Sequence, residues 1–482
     1  MRKAKIIATI GPACEKISVL EKMIKSGVDV CRLNFSYGTH EEHLQKIANI
    51  RKAAAKAGKT VSIMQDLQGP KIRVGKLKAP VSVKRGDIIT LTGKSEHKEP
   101  LTLPTTYKGI ASDTKKGKTI LMADGKIILQ VLSTDPRKKE VRCKVMDGGT
   151  ILTGKGINLP YTNISLPALT PKDESDAKFG AHAGIDYMAL SFVRTAEDVL
   201  KLKRLLKREK AEHIPIVAKL EKPEALDNLD EILNVVDGVM VARGDLADEI
   251  SFAKVPVAQK RIIHAANQKA KITIIATEML SSMIDNPLPT RAEVSDCANG
   301  ILDGADCLML SNETAMGKNP PKAVKAMGDI IKETETLFQP EDFHRELDLP
   351  ETHQISEAMC ASAAYMSYSL NERAICVLTS TGETARILSK YRPQSTIYAG
   401  TCNKEVYQKM AFYHNVLPIL LDKPESQSDQ EAQKSYQMFA KELLKRKLIK
   451  PGDKVIALSG LRSKNGKWNM DSITVRTVPK QK

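Results

Sequence analysis

The 482 residues, 42% hydrophobic and 27% charged, exceed what one compact core holds and point to several ordinary globular domains. No run approaches the ~18 uninterrupted apolar residues of a membrane span, and the eight scattered cysteines show neither C-x-x-C spacing nor a dense disulfide pattern, which argues for a reducing, cytoplasmic setting. The formal charge of +17 raises nucleic acid or an anionic membrane as partners. Much of it, however, lies in runs such as 201–210 and 441–450, where Leu and Ile recur at helical spacing and the lysines coat a solvated helix face. With aromatics at 4% and no nucleic-acid module, the reading is no nucleic acid, no membrane, and small anionic substrates.

In chain order, the opening "MRKAKIIATIGP" reads as a first strand, because its apolar run is too short for a signal peptide and stops at Gly-Pro. Short apolar runs then recur at 4–11, 28–35, 61–67, 186–192, 214–221, 238–245, 272–277 and 307–314, with amphipathic segments between them. Continuous apolar runs mean strands buried on both faces, and eight strand–helix units predict a (β/α)8 TIM barrel. From 71 to 167 the pattern changes to short alternating runs punctuated by Gly, Asp and Pro, an inserted β-barrel lid domain. A new α/β pattern begins past a polar linker. The expected domains are therefore 1–70 with 168–345 as catalytic barrel, 71–167 as lid, and 346–482 as a C-terminal α/β regulatory domain.

In such barrels chemistry lies where strands end, and here those ends are unusually polar. They offer Arg32, Asn34 and Ser36; Asp66 followed by Lys71 and Arg73; Ser191; Lys219 and Glu221; Arg243, Gly244 and Asp245; Thr277; and Ser311 to Thr314. Lys219 and Glu221 are two apart and so share the face that points into the mouth. Glu221 and Asp245, from neighbouring strands, form a hard-oxygen pair suited to Mg²⁺, with Mn²⁺ as a substitute. An ion pair closing the barrel end is the plainer alternative, and it weakens once Arg32, Arg73 and Thr277 converge on the same face. "GKT" at 58–60 and 117–119 lacks the upstream glycine of a P-loop, and the "HEEH" histidines, His40 and His43, are expected on the exposed start of a helix.

The motifs "ATIGPA", "RLNFS", "DLQGPKIRVG", "KGINLP", "AKLEKPEALDNLDEI", "DGVMVARGDL", "ATEMLSSM", "PTRAEVSDCANGILDGADCLMLSNETA" and "STGETARILSKYRP" closely resemble those of the pyruvate kinase family, over essentially the whole chain. The resemblance implies phosphoryl transfer from phosphoenolpyruvate to ADP, giving ATP and pyruvate in the last step of glycolysis, and a homotetramer. It implies Lys219 as the lysine neutralising the moving phosphoryl group and the enolate, Glu221 and Asp245 as Mg²⁺ ligands, and Arg32 as the substrate-phosphate arginine. Thr277 resembles the threonine beside the protonated enolate carbon, with Gly244 in the substrate site; Asn34, Ser36 and Asp66 match the monovalent-cation site. Arg73, Lys155, Asn158 and Asp124 match nucleotide-side positions. A threonine hydroxyl is too weak an acid to donate a proton outright, so Thr277 is expected to orient a water.

Some positions depart from the family pattern. Tyr37 stands where histidine is usual, "GDLADE" replaces the usual Gly-Val-Glu or Gly-Ile-Glu ending, and Asn312 replaces a glycine. Lys71 stands where potassium-dependent members carry glutamate in a "DTKGPEIRTG"-like run, and Leu67, Gln68 and Val74 change with it. The expectation is that K⁺ is not required, the Lys71 ammonium taking its place with Asn34, Ser36 and Asp66 as hydrogen-bond partners. A phosphorylated allosteric effector is expected at Thr379, Ser380, Thr381, Gly382 and Thr384, with Arg462, Lys464 and Lys467 nearby, against an ordinary helix cap and solvated loop as the plainer reading. Two other function classes are a catalytically silent metabolite-sensing or moonlighting binding protein on this fold, and a Mg²⁺ barrel enzyme making or breaking carbon–carbon bonds. The first would lack part of the catalytic set; the second would not need a lid or ADP-side residues.

Overall fold

A computed structural model of the chain describes residues 2–94, 101–123, 125–338, 354–370, 374–422, 429–462 and 468–478. Strands Lys5–Thr9, Val30–Asn34, Ser62–Asp66, Tyr187–Leu190, Ile216–Leu220, Gly238–Ala242, Ile272–Ala276 and Cys307–Leu310, called strands one to eight, close into a parallel barrel, each beside its predecessor. Their continuous apolar runs are explained by two concentric cores. Ile7, Val30, Met64, Val217 and Met240 fill the barrel, whereas Ile6, Cys31, Ile63, Ala218 and Val239, one position away, pack under the surrounding helices. Strand two is the exception that serves the site: Arg32 and Asn34 are its half-buried positions, and both sit at its C-terminal end.

Capping boxes at Thr39, Thr170 and Thr290 start three of the barrel helices, each threonine accepting from the backbone N–H three residues on. Between strands three and four the chain leaves the barrel to build a six-stranded sheet and a two-stranded ladder around a core that includes Ile89, Leu91, Leu129, Val131 and Val141. The third unit is a five-stranded sheet in the order Val416–Leu420, Thr396–Thr401, Ala374–Leu378, Lys454–Arg462, Trp468–Thr477, parallel except for the last strand.

That third unit seats on the N-terminal floor of the barrel. Buried Arg392 donates to Asp306 Oδ1 and to the Gly304 carbonyl, both at 2.6 Å, and buried Lys5 donates to the Val416 carbonyl at 2.7 Å. Charges so fully withdrawn from water persist only when paired, so these contacts fix where the domain sits.

Candidate active site at the barrel mouth

Lys219, at the C-terminal end of strand five, is buried, and its Nζ donates to Ser191 Oγ at 2.8 Å while lying 3.0 Å from Glu221 Oε1 and 3.4 Å from Asp66 Oδ1. Ser191 passes its own hydrogen to the Leu67 carbonyl at 2.6 Å, which fixes it as the acceptor. Burial alone would pull the ammonium's pKa down, but Asp66 and Glu221 outweigh it and the net shift is upward. Lys219 is therefore a fixed cation rather than a base.

Arg32 reaches Asp66 Oδ2 through Nε at 2.7 Å and Nη2 at 2.6 Å, and Thr9 Oγ1 through Nη1 at 3.0 Å. Burial pushes the Asp66 carboxyl up, yet the Lys219 and Arg32 charges prevail and hold it below the usual carboxylate range. Asp66 thus aligns two cations side by side.

Glu221 behaves differently. Its Oε2 accepts from the Phe192 N–H at 2.7 Å, whereas buried Oε1 receives no aligned hydrogen bond and meets Lys219 only as an ion contact. Burial and the like charge of Asp245 outweigh Lys219 and Lys71, so its pKa is raised. This carboxylate is short of positive charge. Asp245, in the first turn of the helix Arg243–Ile250, completes an all-oxygen pair that suits a hard divalent ion such as Mg²⁺ or Mn²⁺. No cluster of three or more metal-ligating side chains occurs among the described residues, so the other ligands would be water and substrate oxygens.

Thr277 follows strand seven with φ +73°, a conformation a β-branched residue rarely adopts. Its hydroxyl donates to the Ala276 carbonyl at 2.6 Å and accepts from the Gly244 N–H at 2.8 Å. Arg243 holds this loop, donating to the Thr277 carbonyl at 2.8 Å while paired with Asp296 at 2.7 Å.

The Gly-Pro turn that delivers Lys71 is held in place at Gly69. Its φ is +69°, its N–H donates to Asp173 Oδ1 at 3.0 Å, and a Cβ there would come within 2.8 Å of both Ser191 and Phe192. Gly69→Ala is therefore expected to lower kcat by about tenfold, by moving Ser191 against Lys219, with circular dichroism unchanged. Wild-type kcat in that variant would show that the turn does not position the site.

Lys71 itself requires a correction. Asn34, Ser36 and Asp66 were the expected partners of its ammonium, but Nζ lies 3.7 Å from Asp245 Oδ1 instead. Asp66 is already committed to Arg32 and Lys219, and Asn34 Oδ1 accepts the Ser36 N–H at 3.0 Å. Asp245, more open to water, is the acid within the lysine's reach.

Lid and barrel enclose a cleft of about 190 Å³ lined by Tyr37, Lys71, Arg73, Asn158, Lys222 and Asp245 among others. Arg73 Nη1 donates to the Gly154 carbonyl at 2.8 Å, tying the strand-three loop to the lid. Lys155 is exposed and does not line the cleft, although its carbonyl accepts the Val74 N–H at 2.8 Å. Asp124 lies outside the described residues.

The family described as "Pyruvate kinase, barrel domain" matches residues 1–324, and "Pyruvate kinase, alpha/beta domain" matches residues 357–474. A pyruvate kinase of Staphylococcus saprophyticus is 43% identical over 425 residues, covering 87% of this chain and 72% of its own length. One from Bacillus licheniformis is 39% identical over 480 residues, covering 98% of this chain and 80% of its own. A third, from Geobacillus stearothermophilus, is 42% identical over 416 residues, covering 86% and 71%. The chain belongs to the pyruvate kinase family.

It is accordingly a phosphotransferase that makes ATP and pyruvate from ADP and phosphoenolpyruvate, in a family that generally uses Mg²⁺. Around the candidate site, the sequence reading left several supports without a role: Ser191, Asp173, Arg243, and a buried pair of Lys222 with Glu249 at 2.7 Å. Ser191 and Arg243 were visible as polar strand ends; the Lys222 pair had no sequence signal. Of the "HEEH" histidines, His43 is buried rather than exposed, stacked on Phe35 with ring centroids 3.8 Å apart and bonded to the Tyr37 carbonyl at 2.9 Å. His40 lies 2.8 Å from Asp176.

In the C-terminal loop, Thr379 Oγ1 accepts the Gly382 N–H at 2.9 Å and Thr381 Oγ1 the Glu383 N–H at 3.3 Å, so these hydroxyls cap their own turn. Ser380 and Thr384 are half-buried beside them. Lys464 and Lys467 lie outside the described residues, and of Arg462 only its place at the end of its strand is described.

Proposed function

We propose that this pyruvate kinase works through Lys219, Arg32, Thr277 and Arg73, with Glu221 and Asp245 holding Mg²⁺ or Mn²⁺. The single observation that carries this reading is the buried Lys219 ammonium set between Asp66 and Glu221, facing the mouth where Glu221 Oε1 receives no aligned hydrogen bond. Arg32 and Lys219 receive the phosphate of phosphoenolpyruvate. Arg73 and Asn158 face the diphosphate of ADP across the cleft, and the lid keeps water from the phosphoryl group in transit. When bound, the divalent ion neutralises charge developing on the transferred group and on the enolate oxygen.

Thr277 cannot aim its proton at the enolate carbon, since that hydrogen is given to Ala276; a lone pair on its hydroxyl remains to hold a water in line. Substrate binding is supported by Gly244, whose N–H is spent on Thr277 and so fixes the loop rather than the ligand. Catalysis here is positioning and electrostatics.

The deciding assay is pyruvate formation from phosphoenolpyruvate with and without ADP: turnover only with ADP supports the reading, and none in either condition would overturn it. Glu221→Gln is expected to raise the Mg²⁺ concentration for half-maximal activity at least about tenfold while leaving the melting temperature nearly unchanged. A metal titration of the variant that overlays the wild type would remove Glu221 from the ligand set.

A cytoplasmic location is supported by seven buried cysteines that form no disulfide, and no helix among the described residues is long and apolar enough to cross a membrane. The homotetramer and a phosphorylated effector at 379–384 rest on family likeness. Cross-linking and activation by sugar phosphates test them.

A further inference from the structure

The lid returns to the barrel through the short strand Ile157–Asn158 and the turn that follows it. Leu159, Pro160, Tyr161 and Thr162 form a β-turn closed by the Thr162 N–H, which donates to the Leu159 carbonyl at 3.1 Å. Proline in the second position and a positive φ in the third, +51° at Tyr161, are the marks of a type II turn, whose third position ordinarily takes glycine or asparagine. A bulky side chain is disfavoured there. Tyr161 is also 51% exposed, so burial of its ring does not explain why a tyrosine occupies the position. The reason is sought in what the side chain touches.

Tyr161 joins the lid to the barrel. On the lid side its backbone carbonyl accepts from Lys118 Nζ at 3.3 Å. On the barrel side its hydroxyl donates to the Ile250 carbonyl at 3.4 Å and accepts from Lys254 Nζ at 3.3 Å, and that Nζ lies 5.7 Å from the centre of the ring. Ile250 ends the helix Arg243–Ile250, and its carbonyl is among the last four, which have no partner within a helix. Both hydrogen bonds are long, hence weak and readily released. Three residues before Tyr161, Asn158 lines the cleft beside Glu249, the neighbour of Ile250, which Lys222 holds at 2.7 Å. The first turn of the same helix carries Gly244 and Asp245. One helix therefore meets the lid at its end and the reacting centre at its start.

We propose that Tyr161 is the latch of the lid, a positioning residue that holds the segment 157–161 against the end of this helix while ADP is bound and releases it for ATP to leave. The proposal rests on the reading of the cleft as the ADP side of the site. Weak contacts suit a latch that must form and break in every turnover, because a strong one would slow product release. Closed, it keeps Asn158 at the cleft and in front of the diphosphate. Released, the lid carries Asn158 away, whereas Arg32 and Lys219 belong to the barrel and stay. Loss of the latch is therefore felt by ADP and not by phosphoenolpyruvate.

The test compares two variants of the full-length protein. Tyr161→Phe removes the hydroxyl and keeps the ring beside Lys254; Tyr161→Gly removes the side chain and relieves the turn. At saturating phosphoenolpyruvate, KM for ADP is expected to rise about threefold in the first and about tenfold in the second, while KM for phosphoenolpyruvate and the melting temperature stay at or above wild-type binding and stability. Amide hydrogen exchange across 157–162, slowed by ADP in the wild type, should be slowed less in Tyr161→Gly. Lys254→Met should raise KM for ADP by itself and add nothing in the Tyr161→Gly background. A tyrosine merely tolerated at the surface behaves otherwise, since glycine then improves the turn and leaves the kinetics alone. With an active wild type, unchanged KM for ADP and unchanged exchange in Tyr161→Gly, equal rises in both KM values, or additive effects of Lys254→Met would each overturn the latch alone. A wild type without ADP-dependent turnover would overturn the reading of the site, and the latch with it.

Discussion

Lys219→Met is expected to lower kcat by roughly a hundredfold to a thousandfold, since one fixed charge aimed at a transition state contributes about 3–4 kcal/mol in a water-poor site. Methionine keeps an unbranched side chain of similar size but removes the charge and the N–H donors, the bond to Ser191 among them. The fold should survive: Asp66 retains two contacts from Arg32, and Glu221 retains the Phe192 N–H while its pKa, already raised, moves further up and lets it take a proton. Substrate affinity should fall less than turnover, because Arg32 still holds the phosphate of the ground state. Steady-state kinetics beside a thermal melt separates these effects. A variant with most of its turnover intact would remove Lys219 from the chemistry.

The barrel was legible because its strands are buried on two faces, which leaves runs such as "ITIIA" and "GVMVA" with no polar alternation to confuse with anything else. Lys219 and Glu221 were legible for the converse reason: polar residues interrupting such a run must face the one polar place a barrel offers, its mouth. Which group each charge pairs with was not legible. Lys71 was expected on Asp66, but that carboxylate is consumed by Arg32 and Lys219, residues distant in sequence that only closure of the barrel brings together. His43 was misplaced on a helix surface because its neighbour Phe35 approaches from the preceding strand-end loop, and stacking hides a ring that periodicity alone left in solvent. The reach of Tyr161 to Ile250 and Lys254 had no sequence signature, since lid and barrel helix meet only when the two domains dock.

Activity at saturating Mg²⁺ in buffer free of sodium and potassium is expected to match that with added K⁺ at constant ionic strength. The argument rests on charge rather than on the hydrogen bonds expected for Lys71. Around the reacting centre, Arg32, Lys219 and Lys71 stand against Asp66, Glu221 and Asp245, three cations to three carboxylates, before two strongly anionic substrates enter. With glutamate at position 71 the same count would be two cations to four carboxylates, a deficit that positive charge from solution would offset. Lys71 is expected to supply it covalently: it sits 3.7 Å from Asp245 and lowers the proton affinity of Glu221, so its field already reaches both proposed metal ligands. Lys71→Glu reverses that count by two charges. It should cut activity in K⁺-free buffer by roughly tenfold or more and make the remainder respond to K⁺. Many-fold stimulation of the wild type by K⁺ would show that a lysine paired with Asp245 does not substitute for the cation. An unresponsive Lys71→Glu variant would show that the charge at this position is not what sets the requirement.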